Sequence, residues 1–270
     1  MKPRVLLLHG LTGVPNELQT VARDVRAAGY EVETPMLAGH GINISTLNQT
    51  GWREWLDGAQ RDLTRMAVDG PIFVGGHSVG AVIALALAEV RPDLVRGLAL
   101  LAPTVRYDGW AVPKSVFIFN WANRVPFLRP LAKYYNFKER HPFGLKDARL
   151  RERVVGWMRA GKVEQAGLSF TPGIGLSQTL LLAARTIPHL AEISVPTLIV
   201  HPLEDDVTHV RNAEAIAQRL GGAVRTLFLT DSYHLVTIDR QRRIVGKALA
   251  TFFDDVREGY AFEKRERQTI

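Results

Sequence analysis

Short apolar runs alternate with longer helical patterns at both ends of this chain, and that alternation constrains its fold more than any other feature. Residues 5–9, 30–34, 71–75 and 95–101 each read as a buried strand, and the signal returns at 196–201 and 224–229. Helical patterns lie between them at 15–28, 52–66, 79–90, 211–220 and 241–253. The punctuation agrees. Pro15 opens the first helix, Gly29 follows its end, Pro92 stands just past the third, and Gly221-Gly222 closes the fourth. Strands interleaved with helices make a parallel sheet covered on both faces, and right-handed crossovers wind it doubly. Such a sheet binds ligands beyond the carboxyl ends of its strands, so the loops there are where chemistry is expected.

The middle of the chain breaks this rhythm. Residues 104–193 read as an inserted, mostly helical cap, leaving 1–103 and 194–270 as one α/β core. Residues 107–143 hold ten of the 22 aromatics: Tyr107, Trp110, Phe117, Phe119, Trp121, Phe127, Tyr134, Tyr135, Phe137 and Phe143. These either line a pocket or form the cap's own core, and both readings stay open here. Charge is concentrated in the same region. Residues 106–162 carry 13 Lys/Arg against four acids, a local balance of +9 in a chain of +7, so the remainder sits at −2. Such a segment attracts anionic lipid, an acidic substrate or nucleic acid, or is simply a solvated face.

Composition removes several classes of chemistry. With no cysteine there is no disulfide, thiol nucleophile, thiolate zinc site or Cys-ligated iron–sulfur cluster. No His-x-His or His-Glu-x-x-His spacing suggests a metal site, and no cofactor is expected. The apolar run near the N-terminus is too short for a signal-peptide core, and no stretch approaches the roughly 18 apolar residues of a membrane span. The longest such tract, 81–88, reads as a buried helix, and a cytoplasmic location is expected. The charge-dense tail at 263–267 is expected to fray.

The strongest chemical signal is Gly76-His77-Ser78-Val79-Gly80, directly after one predicted strand and directly before a helix. This is a G-x-S-x-G nucleophile elbow. A sharp strand-to-helix turn strains the Ser78 backbone and lifts its hydroxyl into the cleft. Side chains two residues to either side would clash, hence the glycines. The helix N-terminus favours negative charge developing there. With seven serines and 23 glycines in 270 residues, chance places Gly at both flanking positions of some serine about 0.05 times. Ser169 and Ser177 have Gly at −2 but Thr at +2, so Ser78 alone carries the motif.

The partners follow from position. After the first strand comes His9-Gly10-Leu11-Thr12-Gly13, whose glycines let backbone approach a ligand. Acyl transfer needs two N–H groups aimed at an oxyanion, and the amides of Leu11 and Val79 are the expected pair. The order nucleophile, acid, base points to two late loops. His234 follows the strand at 224–229 and is the expected base. Glu204, Asp205 and Asp206 follow the strand at 196–201. Asp205 is favoured as the acid, Asp206 is next, Glu204 points to solvent, and Asp231 reads as a turn residue. His40 is expected to hold its own loop, His77 to pack beneath the elbow and His9 to orient the oxyanion turn.

Residues 5–13, Gly39-His40-Gly41, 76–80, 201–207 and 232–239 together are similar to the α/β-hydrolases, and most resemble the bacterial carboxylesterases and monoacylglycerol lipases. The histidine loop, Ser232-Tyr233-His234-Leu235-Val236-Thr237-Ile238-Asp239, carries much of the likeness, which spans about 160 residues over 2–103 and 194–253. The resemblance implies a cofactor-free serine hydrolase with nucleophile Ser78, acid Asp205, base His234 and oxyanion amides at Leu11 and Val79, beneath a cap over an acyl pocket. The implied substrate is a small ester with an apolar acyl chain. Pro202 stands where such enzymes often have Gly, and the two leading antiparallel strands of larger relatives are expected to be absent. A serine at the elbow argues against the dehalogenases and epoxide hydrolases of similar fold, which use Asp there.

Three rivals remain open. A thioesterase or acyltransferase would use the same residues, with the basic cap holding the phosphates of its donor. An amidase or peptidase would need an acidic anchor for a substrate amine. A non-catalytic hydrolase-like binding protein would fail to react with an active-site phosphonate. The basic, aromatic cap also suits an anionic membrane surface, whereas no motif supports nucleic acid.

Overall fold

The computed structural model describes residues 2–123, 125–138, 140–260 and 265–270. Strand β1 (Arg4–Leu8) leads through a 3-10 turn at Pro15–Leu18 into helix α1 (Gln19–Ala27) and edge strand β2 (Glu31–Glu33). Two helices, α2 (Ile44–Asn48) and α3 (Trp52–Met66), return the chain to β3 (Ile72–His77), followed by α4 (Val79–Val90) and β4 (Val95–Leu101). The chain then leaves the sheet for α5 (Lys114–Ala122), β5 (Asn136–Lys138), α6 (Ala148–Arg159), α7 (Val163–Ala166), β6 (Phe170–Pro172) and α8 (Gly173–Thr186). It re-enters at β7 (Thr197–Pro202) and finishes with α9 (Arg211–Arg219), β8 (Val224–Leu229), α10 (Arg242–Glu258) and β9 (Arg265–Thr269).

The sheet runs β2-β1-β3-β4-β7-β8-β9, and every neighbouring pair in it is parallel. The expected strands are all present, shifted by a residue or two at their ends. The tail departs from expectation: β9 pairs with β8 instead of fraying, while residues 261–264 lie outside the described residues. The first helical pattern begins as a 3-10 turn at Pro15–Leu18, with Pro15 at a first-turn position whose missing N–H costs no helical hydrogen bond.

Alternation along the strands sorts the core into two layers. Leu6, Leu8, Val74, Leu98, Leu100 and Ile199 pack on one face with Trp55 and Leu63 of α3 and the length of α4. Val5, Leu7, Phe73, Ala99, Leu101 and Val200 pack on the other with α1 and α10. Helix α4 is buried from Val79 through Ala88, so it is apolar on all sides rather than amphipathic. The strand order turns back between β1 and β3, which opens a crevice where the loops after those two strands meet.

Residues 104–193 lie outside the main sheet and include a two-stranded antiparallel pair, β5 with β6. Their latter part joins the main core, since Leu182, Ala183, Leu190 and Ile193 share a cluster with α4. The aromatics of this region divide between both expected uses. Phe119, Tyr107 and Phe137 pack with Val116 and Leu176 in a small separate core, and Tyr107, Phe137 and Phe143 also line a cavity. Trp110, Trp121, Phe127, Tyr134 and Tyr135 are exposed, and the Phe117 side chain lies outside the described ones. Among the described residues no helix is long and apolar enough to cross a membrane.

Candidate active site

Strand β3 ends at His77 and helix α4 begins at Val79, so a single residue makes the whole turn. Ser78 accordingly has φ 56° and ψ −116°, a conformation that costs a non-glycine residue of order 1–3 kcal/mol. The flanking glycines make the turn possible. A Cβ on Gly76 would collide with the Gly80 carbonyl, and one on Gly80 would collide with the carbonyls of Leu8 and His9. The strand–turn–helix therefore packs backbone against backbone, and Ser78 is lifted into a cavity of about 650 Å³ that His234 and Leu11 also line.

The loops after β7 and β8 bring Asp205 and His234 together, and His234 lines the same cavity as Ser78. His234 Nδ1 lies 2.9 Å from Asp205 Oδ2 and 3.1 Å from Oδ1. Asp205 also accepts the amides of Val207 at 2.8 Å and Thr208 at 2.9 Å. Burial pushes its carboxyl up, but His234, His201 and the Thr208 amide outweigh that and hold it below the usual carboxylate range. Burial alone would lower His234; the charge and hydrogen bond of Asp205, with Asp206 beyond, leave it raised instead. Nδ1 faces the carboxylate, so Nε2 is the nitrogen available for proton exchange.

Asp206 takes a different position from its neighbour. Its Oδ1 accepts the His234 backbone amide at 3.2 Å and its Oδ2 accepts the Gly144 amide at 2.9 Å. Burial and the adjacent Asp205 raise its pKa. Glu204 is exposed and ion-pairs with Lys146 at 2.7 Å, and Asp231 pairs with Arg240 at 2.9 Å.

The hydroxyl of Ser78 donates to Thr104 Oγ1 at 3.1 Å, and Thr104 donates in turn to the Ala102 carbonyl at 3.1 Å. Thr104 was not anticipated: a threonine just after β4 carries no motif, and only the folded sheet sets it beside the elbow. Glu17 and Asp239 were likewise missed. Glu17 Oε1 accepts the Gly10 amide at 2.8 Å and faces His77 Nδ1 at 2.9 Å. The other nitrogen of His77 faces the His234 carbonyl at 3.0 Å. Asp239, fully buried, accepts the amides of Tyr233, Lys146 and Asp147 at 2.8–2.9 Å. It ties the histidine loop to the segment leading into α6.

Three further buried histidines are held by backbone groups. His9 Nε2 accepts the Leu37 amide at 3.1 Å, so its Nδ1–H donates to the Gly10 carbonyl at 2.9 Å and fixes the turn before Leu11. His40 Nδ1 bonds the Ala38 carbonyl at 3.0 Å, and burial pushes its pKa down to about 4. His201 donates from Nε2 to the Thr208 carbonyl at 3.1 Å. Among the described residues no group of three or more His, Asp or Glu could hold a metal ion. Pro202, the departure noted above, ends β7 with its register to Leu229 intact.

The family model described as serine aminopeptidase, S33 (Hydrolase_4), matches residues 1–241. A thermostable monoacylglycerol lipase from Bacillus sp. (strain H-257) is 26% identical over 251 residues, covering 92% of this chain and 89% of the lipase. A carboxylesterase of Bacillus subtilis (strain 168) is 23% identical over 253 residues, covering 93% and 92%. Among solved structures, a monoacylglycerol lipase from Paleococcus ferrophilus superposes with a TM-score of 0.74 at 18% identity, covering 93% of this chain and 96% of that one.

Proposed function

The chain belongs to the Hydrolase_4 family of α/β-hydrolases, and from that premise we propose that it hydrolyses carboxylic esters through Ser78, His234 and Asp205 by way of an acyl-enzyme. The observation that carries the reading is the convergence, in one cavity, of a serine on a strained turn and a histidine whose Nδ1 is held 2.9 Å from a buried carboxylate. The kinship with a monoacylglycerol lipase and a carboxylesterase supports the ester bond as the target.

The chemistry then runs in two halves. Ser78 turns from Thr104 toward His234 Nε2 and attacks the ester carbonyl while His234 takes its proton. Asp205 keeps the imidazole in the right tautomer and stabilises the imidazolium. The oxyanion is received by the amides of Leu11 and Val79, and Val79, as the first helical residue, has an N–H with no intrahelical partner. His234 returns the proton to the departing alkoxide, which leaves as the alcohol. Water, losing a proton to His234, cleaves the acyl-enzyme and regenerates Ser78.

Residues 104–193 act in this reading as a cap. Val112, Val116, Phe137, Leu168 and Leu176 give the cavity an apolar lining suited to an acyl chain. An aminopeptidase would need a free carboxylate for the substrate ammonium. Glu17 and Asp206, the acids of this cavity nearest the elbow, are already engaged by backbone amides. The exposed Ile118, Trp121, Phe127 and Tyr134, with Lys133 beside the Tyr134 ring, suit an anionic lipid surface. Co-sedimentation with anionic but not zwitterionic vesicles checks that point.

The decisive experiment is turnover of a chain-length series of p-nitrophenyl esters by wild type and Ser78→Ala. Ser78-dependent hydrolysis is expected, with a loss of at least about 10³-fold in the variant. Equal turnover by folded Ser78→Ala would overturn the assignment.

A further inference from the structure

The cavity that holds Ser78 and His234 is bordered by Arg23, Lys138, Arg140, Arg149 and Arg153. These come from separate parts of the fold: α1, the end of β5, the segment after it, and α6. Among the described residues none of the five is in an ion pair, whereas several arginines elsewhere on the surface are. Arg4 meets Asp69, Arg65 meets Glu33, Arg91 meets Asp93 and Arg225 meets Asp255. The acids of the cavity do not compensate. Glu17 and Asp206 accept buried amides, and Asp147 caps α6 through the Leu150 amide. Arg149 and Arg153 stand four residues apart on one helix, a spacing at which like charges repel.

Unpaired guanidinium groups converging on a cleft with apolar walls make a site for an anion. The walls concentrate the field and the planar forks match carboxylate and phosphate oxygens. Resting on the ester-hydrolase reading, we propose that this cavity selects esters bearing an anionic group, a carboxylate or phosphate, away from the scissile carbonyl. Val112, Val116 and Leu176 take the apolar part of the substrate, and the five basic side chains take its charge.

Two matched pairs of soluble substrates test this and separate the two ends an anion could occupy. In the acyl pair, p-nitrophenyl hexanoate is compared with the p-nitrophenyl monoester of adipic acid. In the alcohol pair, 1-hexanoylglycerol is compared with 1-hexanoylglycerol 3-phosphate. In at least one pair the anionic member is expected to have the higher kcat/KM, by about tenfold or more in low salt. That ratio should fall severalfold as NaCl rises from about 0.05 M to about 0.5 M, where screening shortens the reach of the charges. In the double variant Arg149→Gln/Arg153→Gln the ratio should fall at least about fivefold. Both residues are exposed, and the salt titration of wild type tests the same point without any substitution. Turnover with a ratio of one or below in both pairs overturns the anion site alone. No turnover of any of the four by wild type overturns the ester-hydrolase reading itself.

Discussion

Glu17 and His77 sit 2.9 Å apart beneath the nucleophile turn, sixty residues apart in sequence, and between them they join three loops. Glu17 holds the Gly10 amide of the first loop, and His77 reaches the His234 carbonyl of the last. Burial pushes the Glu17 carboxyl up, yet His77 and the Gly10 amide more than compensate and keep it below its ordinary range. The pair thus sets the spacing between the candidate oxyanion turn, the elbow and the base.

Removing Glu17 should therefore damage both stability and turnover. Glu17→Ala leaves the Gly10 amide and His77 without their acceptor, at about 1–3 kcal/mol for each buried donor left unpaired. The displaced loops should lower kcat/KM roughly 10- to 100-fold. Urea unfolding and ester kinetics read the two effects, and a variant matching wild type in both would deny the pair its positioning role.

The neighbouring acids should separate cleanly. Asp205→Asn deprives His234 Nδ1 of its carboxylate and is expected to lower kcat by roughly 10³–10⁴-fold. Asp206→Asn alters an anchor for the Gly144 and His234 amides and should cost well under 10²-fold. Steady-state kinetics decide between them; the reverse order would move the acid by one residue.

The pH profile has a definite sign. His234 must be neutral to accept the Ser78 proton, so kcat/KM falls as pH drops through its pKa. Burial lowers that pKa but Asp205 and Asp206 lift it further, so the acid limb should have its midpoint above the ordinary imidazole value of about 6.5. In Asp205→Asn the limb should move to lower pH. A wild-type midpoint below about 6 would contradict the ion-pair geometry.

Glycines should divide by what surrounds them. Gly80→Ala drives a methyl into the Leu8 and His9 carbonyls and should destabilise by about 1–3 kcal/mol or prevent folding. Gly156, inside α6, has nothing within reach of an added Cβ. Gly156→Ala should stabilise by about 0.5–1 kcal/mol through helix propensity. Thermal melts of the two variants make the comparison, and equal shifts would count against the close packing of the elbow.

Local chemistry made much of this protein legible in its sequence. The period of apolar residues specifies strand or helix by itself, which is why β4, α3, α4 and β8 fall where the pattern places them. The elbow is legible for the same reason: a serine between glycines at a strand–helix junction has few other uses. Asp205 was favoured over Asp206 from its place in the loop, but their separate contacts depend on the fold, because adjacent residues on a turn diverge by a rotation that no local pattern encodes. Glu17 and Thr104 carried no local signal at all, and Asp239 stood within the histidine-loop motif with no role assigned to it. Each matters through a partner dozens of residues away, and such contacts exist only once parallel strands bring their loops to one edge. The five unpaired cations show the same division. Four of them lie in the segment whose local charge of +9 was visible, but their convergence with Arg23 on one cavity, and the engagement of the acids beside them, was decided by tertiary packing alone.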